Sequence, residues 1–208
     1  MNSMKHAQIS ARRRGGQPSD YLAIHQFIDS TKNLCSDNRH RIFHTMWAVN
    51  EIVLPIFGHT LINSDGIEID IKDVCEKDHL LVDFRHRFIP TISDFVHAMK
   101  GELCPSKKQH IEQFHATFAS SHPAVSRLLL SPLAITGQLK SLLLTHNSWF
   151  MLEVIPRLPE LNAGSGQAQP IIHDFSLSGS GIFHEMAFEL WMDNGNDYPP
   201  SARLLHRL

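Results

Sequence analysis

Helical spacing of apolar residues through most of the chain, with one interruption of strict alternation, predicts a mainly α (α+β) fold: a compact helical unit with one small β-hairpin, then a mostly helical C-terminal half. The first observation is the stripe Phe43, Met46, Trp47, Val53 and Phe57, which falls on one helical face. The second is TLINSDGIEIDI over 60–71. There Ile67, Ile69 and Ile71 alternate with Glu68 and Asp70, and Asp65-Gly66 supplies the reversal of a hairpin. The third is the Leu-rich spacing of segments 106–119, 123–131 and 133–155.

Residues 1–19 are polar and basic, with Arg12-Arg13-Arg14, Gly15-Gly16 and Pro18, and read as a flexible basic arm. The arginines are either a solvated tail or a phosphate contact. A first helix is expected from Ser19 to Leu34, capped by Ser19 or Asp20, with Leu22, Ile24, Phe27 and Ile28 inward. A second is expected from Asp37 to Phe57, kinked by Pro55 and stopped by Gly58, antiparallel to the first and packed on it through Phe27, Ile28, Phe43 and Trp47. After the hairpin a third helix covers Val74 to Asp83. Thr91 with Asp94 three residues on resembles a capping box opening a short helix to Met99. Gly101 and Pro105 then break the chain, so the expected division is a His-rich helical unit over 20–100 and a mostly helical extension over 101–208. Beyond the Leu-rich segments, the expectations are a loop over LNAGSGQAQP, a strand at 171–177 and an amphipathic helix at 182–192.

Composition narrows the class of protein. With 42% hydrophobic and 19% charged residues over 208, the chain buries a core and is not disordered. A net charge of −2 predicts no strong pull toward nucleic acid or an anionic membrane. Cys35, Cys75 and Cys104 are far apart and odd in number, against a disulfide framework or a Cys-rich zinc knuckle. Free thiols in a reducing cytoplasm are the simple account, and cytoplasmic is the expected location. No apolar segment follows the basic N-terminus, and no run approaches the roughly 20 apolar residues that span a bilayer.

Histidine is the outlier, with 15 in the chain. Three pairs stand four apart: His25 with Asp29, His40 with His44, and His79 with Asp83. On a helix that spacing puts both side chains on one face, one turn apart. A metal needs several N and O donors converging on one point, and such pairs supply them. His40 and His44 lie beside Phe43 and Trp47, and His25 beside Leu22 and Ile28, which turns the imidazoles inward. A buried hydrogen-bond network without metal, or coincidence in a His-rich chain, are the other readings. His173-Asp174 falls in an expected strand, whereas phosphohydrolases of the HD type carry that dyad on a helix. His184-Glu185 lacks the second His of a zincin, and Gly179-Ser180-Gly181 is too short for a phosphate loop.

The order of motifs over residues 6–99 carries a resemblance. His6, Gly15-Gly16, DYLAIHQFID, DNRHRIFHT, the Phe57-Gly58 pair, NSDG, DHLLVDF and IPTISDF follow one another. The succession resembles an uncharacterised family of small bacterial and phage proteins, a domain of unknown function, over somewhat under half the chain. The resemblance implies a compact helical unit with a small hairpin, singles out His6, His25, Asp29, His40, Arg41, His44, His79 and Asp83, and brings no known activity. Phe84-Arg85-His86-Arg87 departs from the family's pattern, and residues from about Lys100 match nothing known.

The leading expectation is a metal-dependent hydrolase-like protein acting on a phosphoester. His40, His44, His79, Asp29 and Asp83 would ligate a divalent ion, zinc-like or iron or manganese. His25 or His6 would be the general base, and Arg41 would steady an anionic substrate. The rival is a non-enzymatic, phage- or defence-associated protein-binding module, with a structural His cluster and a partner held by the C-terminal half.

Overall fold

The computed structural model describes residues 1–35, 37–100, 102–103, 105–147, 149–159, 190–193, 195 and 198–201. The fold is mainly α with one two-stranded antiparallel hairpin. Its residues divide into two units, Met1–Phe95 with Leu190–Leu208, and Val96–Glu189. No helix among the described residues is long and apolar enough to cross a membrane.

The N-terminal segment, expected as a flexible arm, is helix α1, Ser3–Arg14. Asn2 caps it by accepting from the Lys5 amide at 2.9 Å, and Arg12 to Arg14 sit in the last turn, where cations suit the helix dipole. The expectation misses because the anchor is tertiary. His6, Ala7 and Ser10 are fully buried, and Arg13 and Arg14 both pair with the buried Asp78, at 2.9 and 2.5 Å. Two of the three arginines read as a solvated tail or a phosphate contact, Arg13 and Arg14, therefore fasten α1 to a later helix.

Helix α2, Pro18–Ile28, starts with Pro at its first turn, where no intrahelical N–H is needed. Its last residue is Ile28, six short of the expected Leu34, and after the cap Asp29 the chain continues as a 3₁₀ turn, Ser30–Asn33. The helix expected from Asp37 to Phe57 is broken. Asn38–Phe43 is a 3₁₀ turn, and His44 leaves helical geometry at φ −86°, ψ 50°. Thr45 then caps a new helix, α3, over 46–57. The middle of α3, Val49–Val53, is π-helical and lies just before Pro55, which has no N–H to return to the preceding turn. Although the helix pair is not continuous, its aromatics pack as expected. Phe27 lies 6.2 Å from Phe43 and 5.7 Å from Phe57, and Phe43 lies 6.4 Å from Trp47, centroid to centroid.

Strands β1, Thr60–Ile62, and β2, Glu68–Asp70, pair with Leu61 opposite Ile69. Gly66, at φ +77°, makes the reversal, and its amide donates to the Asn63 carbonyl at 2.9 Å. Ile69 packs with Ala7, Tyr21 and Val74, whereas Ile67 precedes the strand and is exposed. The hairpin tip is tied to the α1–α2 corner. Asp65 accepts from the Gly16 amide at 2.6 Å, and Asp20 accepts from the Ser64 amide and hydroxyl at 3.0 and 2.8 Å. Helix α4 covers 71–83, with a π-helical stretch, Val74–Leu80, in its middle. Such stretches recur at functional sites because they re-aim side chains within a helix. Helix α5, Ile92–Ala98, opens with the expected capping box: Thr91 N donates to Asp94 at 2.8 Å, and Asp94 N to Thr91 Oγ1 at 3.3 Å. Trp191, 5.4 Å from Phe95, and Ser201, donating to Asp94, return to this unit.

In the second unit, α6 is Pro105–Phe118 and α7 is Pro123–Thr136. The helix expected over 133–155 is interrupted, because Gly137 caps α7 in the left-handed conformation at φ +66°. A 3₁₀ turn, Leu139–Leu144, and a π-helical turn, Phe150–Val154, replace it. The strand at 171–177, the loop before it, His173-Asp174, Gly179-Ser180-Gly181 and His184-Glu185 lie outside the described residues, as does most of the 182–192 segment.

Candidate metal centre

Three stretches deliver the donors. The end of α2 presents His25 and, at its cap, Asp29. The break between Phe43 and Thr45 turns His44 inward. Helix α4 carries His79 in its π-helical stretch and Asp83 in its last turn. His25, His44 and His79 are 0% exposed and Asp29 is buried, while Asp83 is half-buried as a residue with its side chain 4% exposed.

His44 Nε2 lies 3.2 Å from His79 Nε2, 3.4 Å from Asp29 Oδ1 and 3.2 Å from Asp83 Oδ2, and His79 Nε2 lies 3.5 Å from Asp29 Oδ1. Asp29, His44, His79 and Asp83 each offer one ligand atom, and these atoms lie within 4.8 Å of one another, so the group could hold a metal ion.

Around this group stand His6 and His25. His6 Nδ1 bonds the Asp78 carbonyl at 2.9 Å, which requires a proton on Nδ1. Its Nε2 is buried and faces Asp83 Oδ1 at 3.2 Å. The His6 ring stacks on His79 at 3.9 Å. His25 is occupied at both nitrogens: Nδ1 meets His79 Nδ1 and Nε2 meets Ser10 Oγ, both at 2.9 Å. His25 thus orients the His79 ring from behind. The outer oxygen of Asp29 accepts from Ser3 at 2.8 Å, while its inner oxygen, Oδ1, has Lys32 Nζ at 2.5 Å. Asp83 Oδ1 also meets the Met1 amino group at 2.9 Å.

The electrostatic directions at His79 and at the two carboxyls suit ligation. Burial, followed by the repulsion of His6, pushes the His25 imidazole down to about 3, and burial likewise holds His79 well below its ordinary value. Burial pushes the two carboxyls up, but the imidazoles outweigh it. His44 and His79 hold Asp29, and His44 and His6 hold Asp83, below the usual carboxylate range. Neutral imidazole and ionised carboxylate are the states that bind a metal.

Two of the expected site residues stand apart. His40 is in the 3₁₀ turn rather than on a helix with His44, and its ring meets the His44 ring edge-on at 5.7 Å. Its Nδ1 bonds the Asp37 carbonyl at 2.5 Å, and it is not one of the four converging residues. Arg41 places its guanidinium 5.3 Å over the Phe84 ring and donates to Met192 Sδ at 4.0 Å. Sequence reasoning missed Ser10, Asp78 and Lys32. Ser10 follows His6 by four residues and was open to the same spacing rule. The other two needed the fold.

A family model described as a domain of unknown function, DUF6915, matches residues 1–104. The chain belongs to that family. The match takes in every element that builds the cluster, from α1 to α4. No curated protein and no solved structure matches the chain.

Proposed function

We propose that this DUF6915 protein is a cytoplasmic, metal-dependent, hydrolase-like protein acting on a phosphoester, with Asp29, His44, His79 and Asp83 as ligands. One observation carries the reading. Donors about 2.0–2.2 Å from one ion stand ~3–3.5 Å from each other, and four of the edges of this group measure 3.2 to 3.5 Å. The mixed imidazole and carboxylate set suits zinc, iron or manganese. Such an ion supplies a Lewis acid and an activated water. Of the two expected general bases His6 is the better placed, because its Nε2 faces Asp83 at 3.2 Å while both nitrogens of His25 are taken by Ser10 and His79. Arg41, which has no carboxylate partner among the described residues, is the residue for steadying an anionic substrate.

A second reading is favoured by burial. A centre with every imidazole at 0% exposure also suits a structural ion, which needs no open position. The chain would then be a non-enzymatic module, its partner a protein held by the C-terminal half.

Metal analysis of protein purified without a His-tag tests both. The expected result is about one divalent ion per chain, lost in His44→Ala and Asp29→Asn. Absence of bound metal, with no uptake of Zn²⁺ or Mn²⁺ after purification, overturns the metal reading. With metal present, His6→Ala separates the two. If the centre is catalytic, hydrolysis of a generic phosphodiester such as bis(p-nitrophenyl) phosphate falls by about 10²-fold or more at unchanged metal content. If the ion is structural, no such activity exists to lose, and chelation lowers the unfolding temperature.

A further inference from the structure

Asp29 Oδ1 has two claims on it. It converges with His44 Nε2 and His79 Nε2, and it holds the Lys32 ammonium at 2.5 Å. A dication and an ammonium on one carboxylate oxygen repel each other, so occupancy of the centre weakens the hold on Lys32. Lys32 has somewhere to go. Its side chain is 33% exposed and lines a cleft of about 680 Å³ together with Asn2, Ser3, Gln26, Asn33 and Asp29 itself. Among the described lining residues Asp29 is the sole carboxylate, and Asn2, Gln26 and Asn33 offer amide donors, while the Ser3 and Ser30 hydroxyls already donate to Asp29 and to the Phe27 carbonyl. The Asn2 carbonyl oxygen is spent on capping α1, which leaves its amide NH₂ for a ligand.

We infer that Lys32 is an exchangeable cation: it neutralises Asp29 in the empty centre and, once a metal takes that oxygen, binds a phosphate-type oxyanion in the cleft. The inference rests on the metal reading above and adds the recognition element and its coupling to the ion. Because Lys32 is either on Asp29 or on the anion, metal and anion assist each other, and linkage requires the two effects to be equal. The same oxyanion chemistry belongs to free phosphate and to a phosphate ester.

The test is calorimetric titration of the full chain with Mn²⁺, with inorganic phosphate and with phenylphosphonate, each alone and in the presence of the other partner. Mn²⁺ is expected to tighten phosphate or phenylphosphonate binding by about tenfold, within the usual span of coupling between sites. Tighter phenylphosphonate assigns the site to an ester, and tighter phosphate to the free ion. Lys32→Met is expected to bind Mn²⁺ alone several-fold more tightly, since it removes a competitor, and to lose the coupling. Lys32→Arg should keep the coupling. Retention of coupling in Lys32→Met means the anion meets the ion directly and overturns the inference, as does unchanged or weaker Mn²⁺ binding by that variant, or no anion binding in any form. These results leave the metal reading standing, whereas wild-type protein that takes up no ion removes both.

Discussion

At the scale of single residues, glycines at one corner show how closely the motifs of the family fit one another. Gly16 has φ +70°, and a Cβ there would collide with Asp20 Oδ2 and meet Asn63 Cβ at 2.9 Å. Asp20 belongs to the DY motif and Asn63 to NSDG, so three separated motifs share one contact. Gly66, at φ +77°, has nothing within 4 Å of its virtual Cβ. Gly16→Ala is therefore expected to cost about 2–4 kcal/mol, from the left-handed backbone and the clash together, and Gly66→Ala only ~1 kcal/mol, from the backbone alone. Urea denaturation midpoints of the two variants measure the difference. Equal midpoints would mean that the corner relaxes around the methyl group.

At the scale of elements, the second unit holds a polar chain across three of them. Ser126 of α7 meets His115 Nδ1 of α6 at 2.7 Å, and His115 Nε2 meets His146 Nε2 at 2.9 Å. His146 Nδ1 bonds the Leu142 carbonyl at 2.9 Å, so the proton lies on Nδ1 and His115 donates to His146. Burial, with His115 next, pushes His146 down to about 3. In the unfolded chain it titrates near 6.5, so between 6.5 and 3 the unfolded state binds a proton that the folded state refuses. Stability is full above pH 6.5 and falls with pH through that window, by about 2 kcal/mol from this residue at pH 5. His146→Gln, which cannot protonate, should narrow the difference between urea midpoints at pH 7 and pH 5 by that amount. An unchanged difference would place the acid sensitivity elsewhere.

At the scale of the molecule, the two units are expected to respond to different variables. The donors of the candidate metal centre all lie in Met1–Phe95, and the chain returns to that unit at Leu190 and Trp191. An ion bound at 100 times its Kd adds about 2.7 kcal/mol to whatever unfolds with it. Hydrogen exchange with and without EDTA is expected to change protection in α2, α3 and α4 and to leave α6 and α7 as they were. Equal changes in both units would show that they unfold as one. The same division bears on truncation. A chain ending at Met99 keeps every proposed ligand but loses Trp191 from Phe95 and Ser201 from Asp94, so it should fold with reduced stability.

The sequence by itself determined the elements whose cause is local. The hairpin follows from alternation around Asp65-Gly66, the start of α5 from Thr91 and Asp94, and the His79 and Asp83 pairing from spacing along one helix. These depend on dihedral preferences and on neighbours within four residues. The break at His44 was not legible, because the apolar stripe continues through it and reads as unbroken helix. Yet that break points His44 at the centre, while His40 stays outside the converging group. Nor was α1 legible, since its polar sequence has a weak apolar face and is held by Asp78, more than sixty residues away. Helical spacing can put two donors on one face. Bringing Asp29, His44, His79 and Asp83 within reach of one ion depended on how three separate stretches pack, and only the tertiary structure decided that, because burial energy selects among packings while local propensity does not distinguish them.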